Sequence, residues 1–153
     1  MEHVLRDVVD EDIAVFFEHQ NDPEAIEMAA FPPREWEAFA AHWAKIRADD
    51  SCVLKTIVSE GEVAGNIGSW PRDDKRYVGY WLGREFWGKG LATQALAEFV
   101  VELERPLYAD VSTANIGSIR VLEKCGFTVV ERTVEHDEAF GGEIELLVMK
   151  LVG

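Results

Sequence analysis

The spacing of apolar residues changes period in mid-chain, and that change decides the class of fold. Val53-Leu54-Lys55-Thr56-Ile57-Val58 reads as a strand, Glu60-Gly61-Glu62 as a hairpin turn, and residues 63–70 as the returning partner. A polar loop at 71–75 leads to a third strand over 77–82. On either side of this block the apolar side chains recur at helical spacing. Ile13, Phe16 and Phe17 predict a helix that Asp10 can cap and that runs to about His19, before Asn21-Asp22-Pro23 interrupts it. Trp36, Phe39, Ala40, Trp43 and Ile46 predict a second, preceded by Pro32-Pro33. Leu91, Ala95, Leu96, Phe99 and Val100 predict a third over about 90–104. Strands are expected at 4–9 and 107–112, and a helix from Asn115 that ends before Gly126. The tail reads as a long hairpin over 127–138 and 143–151, turned at Gly141-Gly142. The order is strand, two helices, three strands, helix, strand, helix, two strands. It calls for an α/β fold, a central mixed sheet flanked by helices. No repeat or linker divides the chain, so a single domain over 1–153 is expected.

Charge narrows the partners. With 15 basic and 29 acidic residues the net charge is −14, which repels phosphate backbones and argues against nucleic-acid binding. The same field steers a cationic partner inward, although it also serves simply for solubility. Cys52 and Cys125 are too far apart for a metal knuckle, and His3, His19, His42 and His136 show no ligand spacing, so no metal is expected. The N-terminus lacks the features of a signal peptide and no apolar run approaches a membrane span. A cytoplasmic protein without membrane contact is the expectation. Monomer and homodimer stay equally open.

The chemistry concentrates at Trp87-Gly88-Lys89-Gly90-Leu91-Ala92-Thr93, between a predicted strand and a predicted helix. Two glycines permit unusual dihedrals and close approach of a ligand to the backbone. The free amides at the start of the helix and its dipole favour an anion, a pyrophosphate above all, and Lys89 adds positive charge. Ordinary turn chemistry also places glycines before helices. The loop lacks the Gly-Lys-Ser/Thr ending of nucleotide hydrolases and the spacing of the dinucleotide fingerprint.

The longer passage Gly79-Tyr80-Trp81-Leu82-Gly83-Arg84-Glu85-Phe86-Trp87-Gly88-Lys89-Gly90-Leu91-Ala92-Thr93 resembles the cofactor-binding heart of the GNAT superfamily of N-acetyltransferases. Asn115-Ile116-Gly117-Ser118-Ile119-Arg120-Val121-Leu122-Glu123-Lys124-Cys125-Gly126-Phe127 resembles its second signature. Together they are most similar to the branch that includes ribosomal-protein N-terminal acetyltransferases. The resemblance implies a GNAT-like acyltransferase fold and acetyl-coenzyme A as cosubstrate. It implies that backbone groups of Tyr80, Trp81 and Leu82 pair with the pantetheine arm, and that the amides from Gly88 through Lys89, Gly90, Leu91 and Ala92 to Thr93 cradle the pyrophosphate. Asn115 would bond the pantetheine, with Ser118 and Lys124 further along. Asn115 also reads as an N-cap over Ser118, and Lys124 as a complement to a helix C-terminus. Two departures stand out. Trp87 replaces the usual Gln or Arg, and Leu122 occupies the position of a tyrosine that protonates the departing thiolate in many members.

The implied reaction is transfer of acetyl to a primary amine, either a protein N-terminus or a small molecule, by direct attack in a ternary complex. The amine must lose a proton first. An N–H of strand 80–82 would stabilise the oxyanion. Asp110 is the candidate base: it lies five residues before Asn115, where some ribosomal-protein acetyltransferases resemble it in carrying a glutamate. His136, Glu143 and Glu145 on the final hairpin are alternatives. Cys125 reads as a small buried hydrophobe, not a nucleophile. The competing readings are a non-catalytic coenzyme A sensor and a purely structural interaction domain.

Overall fold

The computed structural model describes residues 5–29, 34–137 and 142–153. The chain runs β1 (Leu5–Asp7), α1 (Asp10–Gln20), α2 (Pro23–Ala29), α3 (Trp36–Arg47), β2 (Val53–Ser59), β3 (Glu62–Arg72), β4 (Lys75–Leu82), α4 (Leu91–Val100), β5 (Leu107–Ser112), α5 (Ile116–Lys124), β6 (Thr128–Asp137) and β7 (Gly142–Leu151), with a single 3₁₀ turn at Arg84–Phe86. The seven strands form one sheet in the order β1-β2-β3-β4-β5-β7-β6. The mixed α/β architecture read from the pattern is the one observed. Among the described residues no helix is long and apolar enough to cross a membrane.

Period-two alternation divides the sheet between two helical layers. Val53 packs with the larger core, which includes Ala95, Leu96, Phe99 and Val100 of α4 and Leu122 of α5. Its neighbour Leu54 turns to the second core, built from Ile13, Phe16, Phe39 and Trp43 of α1 and α3. The aromatic spacing of the second predicted helix therefore faces the core, with Phe16 and Trp43 ring centroids 4.9 Å apart.

One charged side chain lies beneath α1. Asp12 is 2% exposed, accepts both Arg6 guanidinium N–H groups at 2.8 and 2.9 Å, the Thr56 hydroxyl at 2.7 Å and the Val9 amide at 3.0 Å. Burial alone would raise its pKa, but the bonds from Arg6, Val9 and Thr56 prevail and lower it to about 2. This cluster ties β1, β2 and α1 together. It also takes over the capping role expected of Asp10: Val9 occupies the N-cap, and Asp12 reaches back to its amide.

Three elements differ from the sequence expectation, each for a local reason. A separate helix, α2, begins at Pro23, where the Asp22 carboxylate accepts the amide of Glu24 at 2.9 Å. The expected loop at 71–75 shrinks to two residues, because Asp73 and Asp74 adopt φ of 52° and 63° and close a tight hairpin. Helix α4 stops at Val100, not near residue 104, where the Arg105 guanidinium donates to the carbonyls of Val100 and Leu103. Pro32-Pro33 and the turn residue Gly141 lie outside the described residues.

The feature that positions the site is the one parallel strand contact among the described residues. β4 and β5 pair only at Arg76–Leu107 and Tyr77–Tyr108. Beyond that, β4 stays paired with β3 as far as Leu82, while β5 stays paired with β7 as far as Ser112. The two halves of the sheet part like the arms of a V, and the facing edge of residues 78–82 carries no ladder partner among the described residues.

Candidate active site

The open V is flanked by two cavities that share part of one wall. The first, about 400 Å³, lies against Tyr80, Trp81 and Leu82 of β4, the loop at Trp87, Gly88 and Gly90, and the first turn of α4. The second, about 530 Å³, reaches back under α1 and α3. Tyr80, Trp81, Asn115 and Ser118 line both.

The glycine loop is built by its dihedrals. Gly88 and Gly90 have φ of 77° and 76°, a left-handed backbone that other residues adopt at a cost, and a Cβ on either would meet nothing within 4 Å. Open space, not a packed neighbour, therefore lies over both. Gly90 is the N-cap of α4, and the first intrahelical bond runs from the Gln94 amide to the Gly90 carbonyl at 3.1 Å. Leu91, Ala92 and Thr93, whose amides precede that bond, line the first cavity. The departure at Trp87 has a structural use. Its indole N–H donates to the Leu82 carbonyl at 3.1 Å and ties the loop to the end of β4.

Of the residues expected at a cofactor, Lys89 alone is absent from this wall; its Nζ sits 5.8 Å from the Phe86 ring. Asn115 caps α5, accepting the Ser118 amide at 3.2 Å, and lines both cavities as well, so capping and ligand contact are compatible. Lys124 lines the first cavity together with Gly117, Arg120 and Val121. The last three were missed from sequence, although positions 117, 120, 121 and 124 form one helical stripe that was there to be read. Arg120 and Lys124 bring two cations to a cavity that also holds the N-terminus of α4.

The second cavity is aromatic. Phe16, Phe39, Trp43, Trp70, Tyr80 and Trp81 contribute to it, and Asp110 is the one carboxylate on its wall among the described residues. Asp110 pairs with the Arg72 guanidinium at 2.9 Å, which itself lies 3.8 Å from the Tyr77 ring centroid. Arg34, Asn66 and Ser112 also line this space, and two more of its polar groups bear on its chemistry. His42 has its pKa lowered by burial and by the nearby Arg34 and Lys45, which favours the neutral imidazole. Gln20 carries a buried Oε1 with no hydrogen-bond partner among the described residues. Sequence reasoning missed both, although His42 shares a helical face with Phe39 and Ile46. His136, Glu143 and Glu145 line neither cavity; Glu145 pairs with Arg132 at 3.4 Å.

The position expected to hold a proton donor, Leu122, is apolar and 3% exposed. One turn before it on α5, the Ser118 hydroxyl lies 2.9 Å from the Tyr80 hydroxyl. Burial pushes the Tyr80 phenol above its ordinary value, against the opposing Ser118 bond. Cys125 donates its thiol to the Thr93 carbonyl at 3.6 Å, and burial raises its pKa, so the unreactive thiol is favoured.

A family model described as an acetyltransferase (GNAT) domain matches residues 3–128. Comparison with curated proteins returned no match. Among solved structures, the chain is similar to a spermidine N-acetyltransferase from Vibrio cholerae in complex with CoA and spermine, with a TM-score of 0.83 at 16% identity over 97% of this chain and 94% of that one. It is similar to a ribosomal-protein-alanine N-acetyltransferase from Brucella melitensis, with a TM-score of 0.79 at 17% identity over 99% and 100%. An aminoglycoside acetyltransferase in complex with coenzyme A gives a TM-score of 0.73 at 21% identity over 95% and 92%. At these identities the likeness establishes a shared fold.

Proposed function

The chain belongs to the acetyltransferase (GNAT) domain family, and from that premise we propose that it transfers acetyl from acetyl-coenzyme A to a primary amine in a ternary complex. The observation that carries this reading is the pair of cavities meeting at the open V between β4 and β5. A pantetheine arm fits the unpaired edge of residues 78–82 as a surrogate strand, and a pyrophosphate fits the free amides of Leu91, Ala92 and Thr93 beneath Gly88 and Gly90. Arg120 and Lys124 supply compensating charge on the same side. Tyr80 and Trp81, which line both cavities, would hold the acetyl end of the cosubstrate, and a backbone N–H there would stabilise negative charge on its carbonyl oxygen.

The amine would approach from the aromatic cavity. Asp110, on that wall, is our candidate for the group that takes its proton. The Arg72 ion pair holds Asp110 in place, and a bridging water suits its short side chain. His42 is the second candidate, because it faces the same cavity and burial keeps it neutral. The unpartnered Oε1 of Gln20 can accept an N–H from the amine.

The lining also bears on the acceptor. An overall charge of −14 suggests a cationic partner, yet among the described residues only one carboxylate reaches this wall, Arg72 neutralises it, and Arg34 adds a cation. A polyamine or aminoglycoside brings several ammonium groups and would leave most of them unpaired here. The aromatic surface favours a single amine on an apolar body about the size of a ring.

Calorimetric titration with acetyl-coenzyme A, with ATP as control, tests the donor site. Acetylation of phenethylamine, spermidine and a short peptide then ranks acceptors. Micromolar binding of acetyl-coenzyme A alone, with phenethylamine the best acceptor, supports the reading. Binding without acetylation of any amine favours a sensor, and absence of binding leaves only a shared fold. Asp110→Asn is expected to remove the acidic limb of the kcat/KM profile. If His42→Gln removes it instead, the base is His42.

A further inference from the structure

We propose that the protein also transfers acyl groups longer than acetyl, namely propionyl and butyryl, whose alkyl tail seats in an apolar recess between Val78, Leu96, Ala109, Val111 and Leu122. This rests on the acetyl-transfer reading above. The recess is one end of the second cavity, whose lining includes all five residues. They come from β4, α4, β5 and α5, and all belong to the larger core. The aromatic end of the same cavity, with Phe16, Phe39 and Trp43, lies against the smaller core on the other face of the sheet.

One cavity reaches both faces because the sheet is open at this point. The parallel pairing of β4 with β5 ends at Tyr77–Tyr108, so among the described residues no ladder closes the gap from Val78 and Ala109 onward. Along β5, Ala109 and Val111 face the larger core, while Asp110 between them turns to the other side and pairs with Arg72. Val78 faces the larger core from β4. Leu122 adds hydrocarbon from α5, at the position where the resemblance to the family implied a tyrosine and hence a polar end.

The chemistry of a thioester decides which of its parts suits such a wall. The sulfur continues into pantetheine, which would run along the edge of β4 toward the first cavity. The carbonyl oxygen needs a hydrogen-bond donor, and five aliphatic side chains offer none. The amine would come from the aromatic face. The alkyl group alone gains from contact with hydrocarbon. Each of the five side chains is at most 5% exposed, so the recess is narrow. It suits one or two added methylenes on an unbranched chain, not a long fatty acyl group.

The step balances as it does for acetyl. The amine nitrogen forms a bond to the acyl carbon, the carbon–sulfur bond breaks, and its electron pair leaves on sulfur. Nitrogen gives one proton to the base on the acceptor side, the coenzyme A thiolate takes one from solvent, and the products are the longer amide and free thiol. The recess takes no part in these transfers. Its residues determine which chain fits.

The test is a donor series on the parent: acetyl-, propionyl-, butyryl- and hexanoyl-coenzyme A, each titrated by calorimetry and each offered with phenethylamine, the amide being identified by mass. Every methylene that enters the recess should tighten Kd by about fourfold as far as butyryl, and hexanoyl should fall back. Propionyl should match or exceed acetyl in kcat/KM, with butyryl within about tenfold of it. Ala109→Val narrows the recess and should lower the butyryl-to-acetyl ratio of kcat/KM, and of affinity, by about tenfold or more. Leu122→Ala widens it and should move the preference toward hexanoyl; if that variant does not fold, the parent series and Ala109→Val decide. The Kd series decides even if phenethylamine is not an acceptor. A Kd no tighter for butyryl- than for acetyl-coenzyme A, or a butyryl-to-acetyl ratio that Ala109→Val leaves unchanged, overturns the recess and leaves acetyl transfer standing. If the parent binds no coenzyme A thioester, the acetyl-transfer reading falls first and this proposal with it.

Discussion

Replacing Asp12 with Asn should cost about 2 kcal/mol of folding stability at pH 7, because the buried cluster under α1 depends on its charge. The folded pKa of about 2 lies below the ordinary carboxylate value of 3.8, a difference worth about 2.4 kcal/mol at 1.36 kcal/mol per pH unit. Arg6 is partly solvated, with its side chain 42% exposed, so water recovers some of what it loses. Asn preserves the shape and can still accept from Thr56, which keeps the cost near 2 kcal/mol; Asp12→Ala, which orphans the fully buried Thr56 hydroxyl, should cost about 3–4 kcal/mol. The pH dependence has a definite sign. A depressed carboxylate pKa gives stabilisation that is complete above 3.8 and is lost as pH falls through 2. The difference between parent and Asp12→Asn should therefore be constant from pH 7 to about 5 and shrink below 4. Urea unfolding followed by the fluorescence of the five tryptophans measures it. The argument fails if the two proteins differ by less than about 0.5 kcal/mol at pH 7, or if the gap widens between pH 5 and pH 3. Because α1 carries Phe16 and Gln20 into the aromatic cavity, the same substitution should raise KM for the amine more than for acetyl-coenzyme A.

The donor side is tested independently. Gly90→Glu places a carboxylate over the start of α4, and should weaken coenzyme A binding by more than about tenfold beyond Gly90→Ala. The alanine control isolates the backbone strain at φ 76°, expected to cost about 1–2 kcal/mol in thermal unfolding; equal affinities for the two variants would remove the loop from the site. Arg120→Ser should raise the coenzyme A Kd by about 5–30-fold, flatten its salt dependence and leave Tm nearly unchanged, since the residue is solvent-exposed. An unchanged Kd would place the phosphates elsewhere.

The cavity we propose for the donor was legible in the sequence because backbone geometry builds it. A strand, two glycines at left-handed dihedrals and a helix start are local features, and each leaves a local mark on the sequence. Asn115 shows why such marks are ambiguous: a cap and a ligand contact demand the same residue, and the structure places Asn115 where it can serve as both. The acceptor half is assembled from distant pieces. Gln20, His42, Trp70 and Asp110 come from α1, α3, β3 and β5, and no short window contains more than one of them. The hairpin acids seemed as good a base as any from sequence because nothing local says that β7 inserts between β5 and β6 and carries Glu143 and Glu145 away from both cavities.

The overall acidity illustrates the same division between local and assembled information. Net charge is a sum, whereas recognition depends on which charges reach the cavity wall. Of 29 acidic residues, only Asp110 does so among the described residues, and Arg72, brought alongside by the longer β3, neutralises it. The extension of β3 to Arg72 depends in turn on the two-residue turn at Asp73 and Asp74, which replaces the expected loop. A turn of two aspartates thus helps to set the charge of a cavity wall that neither of them lines. If that chain of dependence is correct, lengthening the turn should release Arg72 from Asp110 and shift the acceptor preference toward amines of higher charge without altering the affinity for coenzyme A.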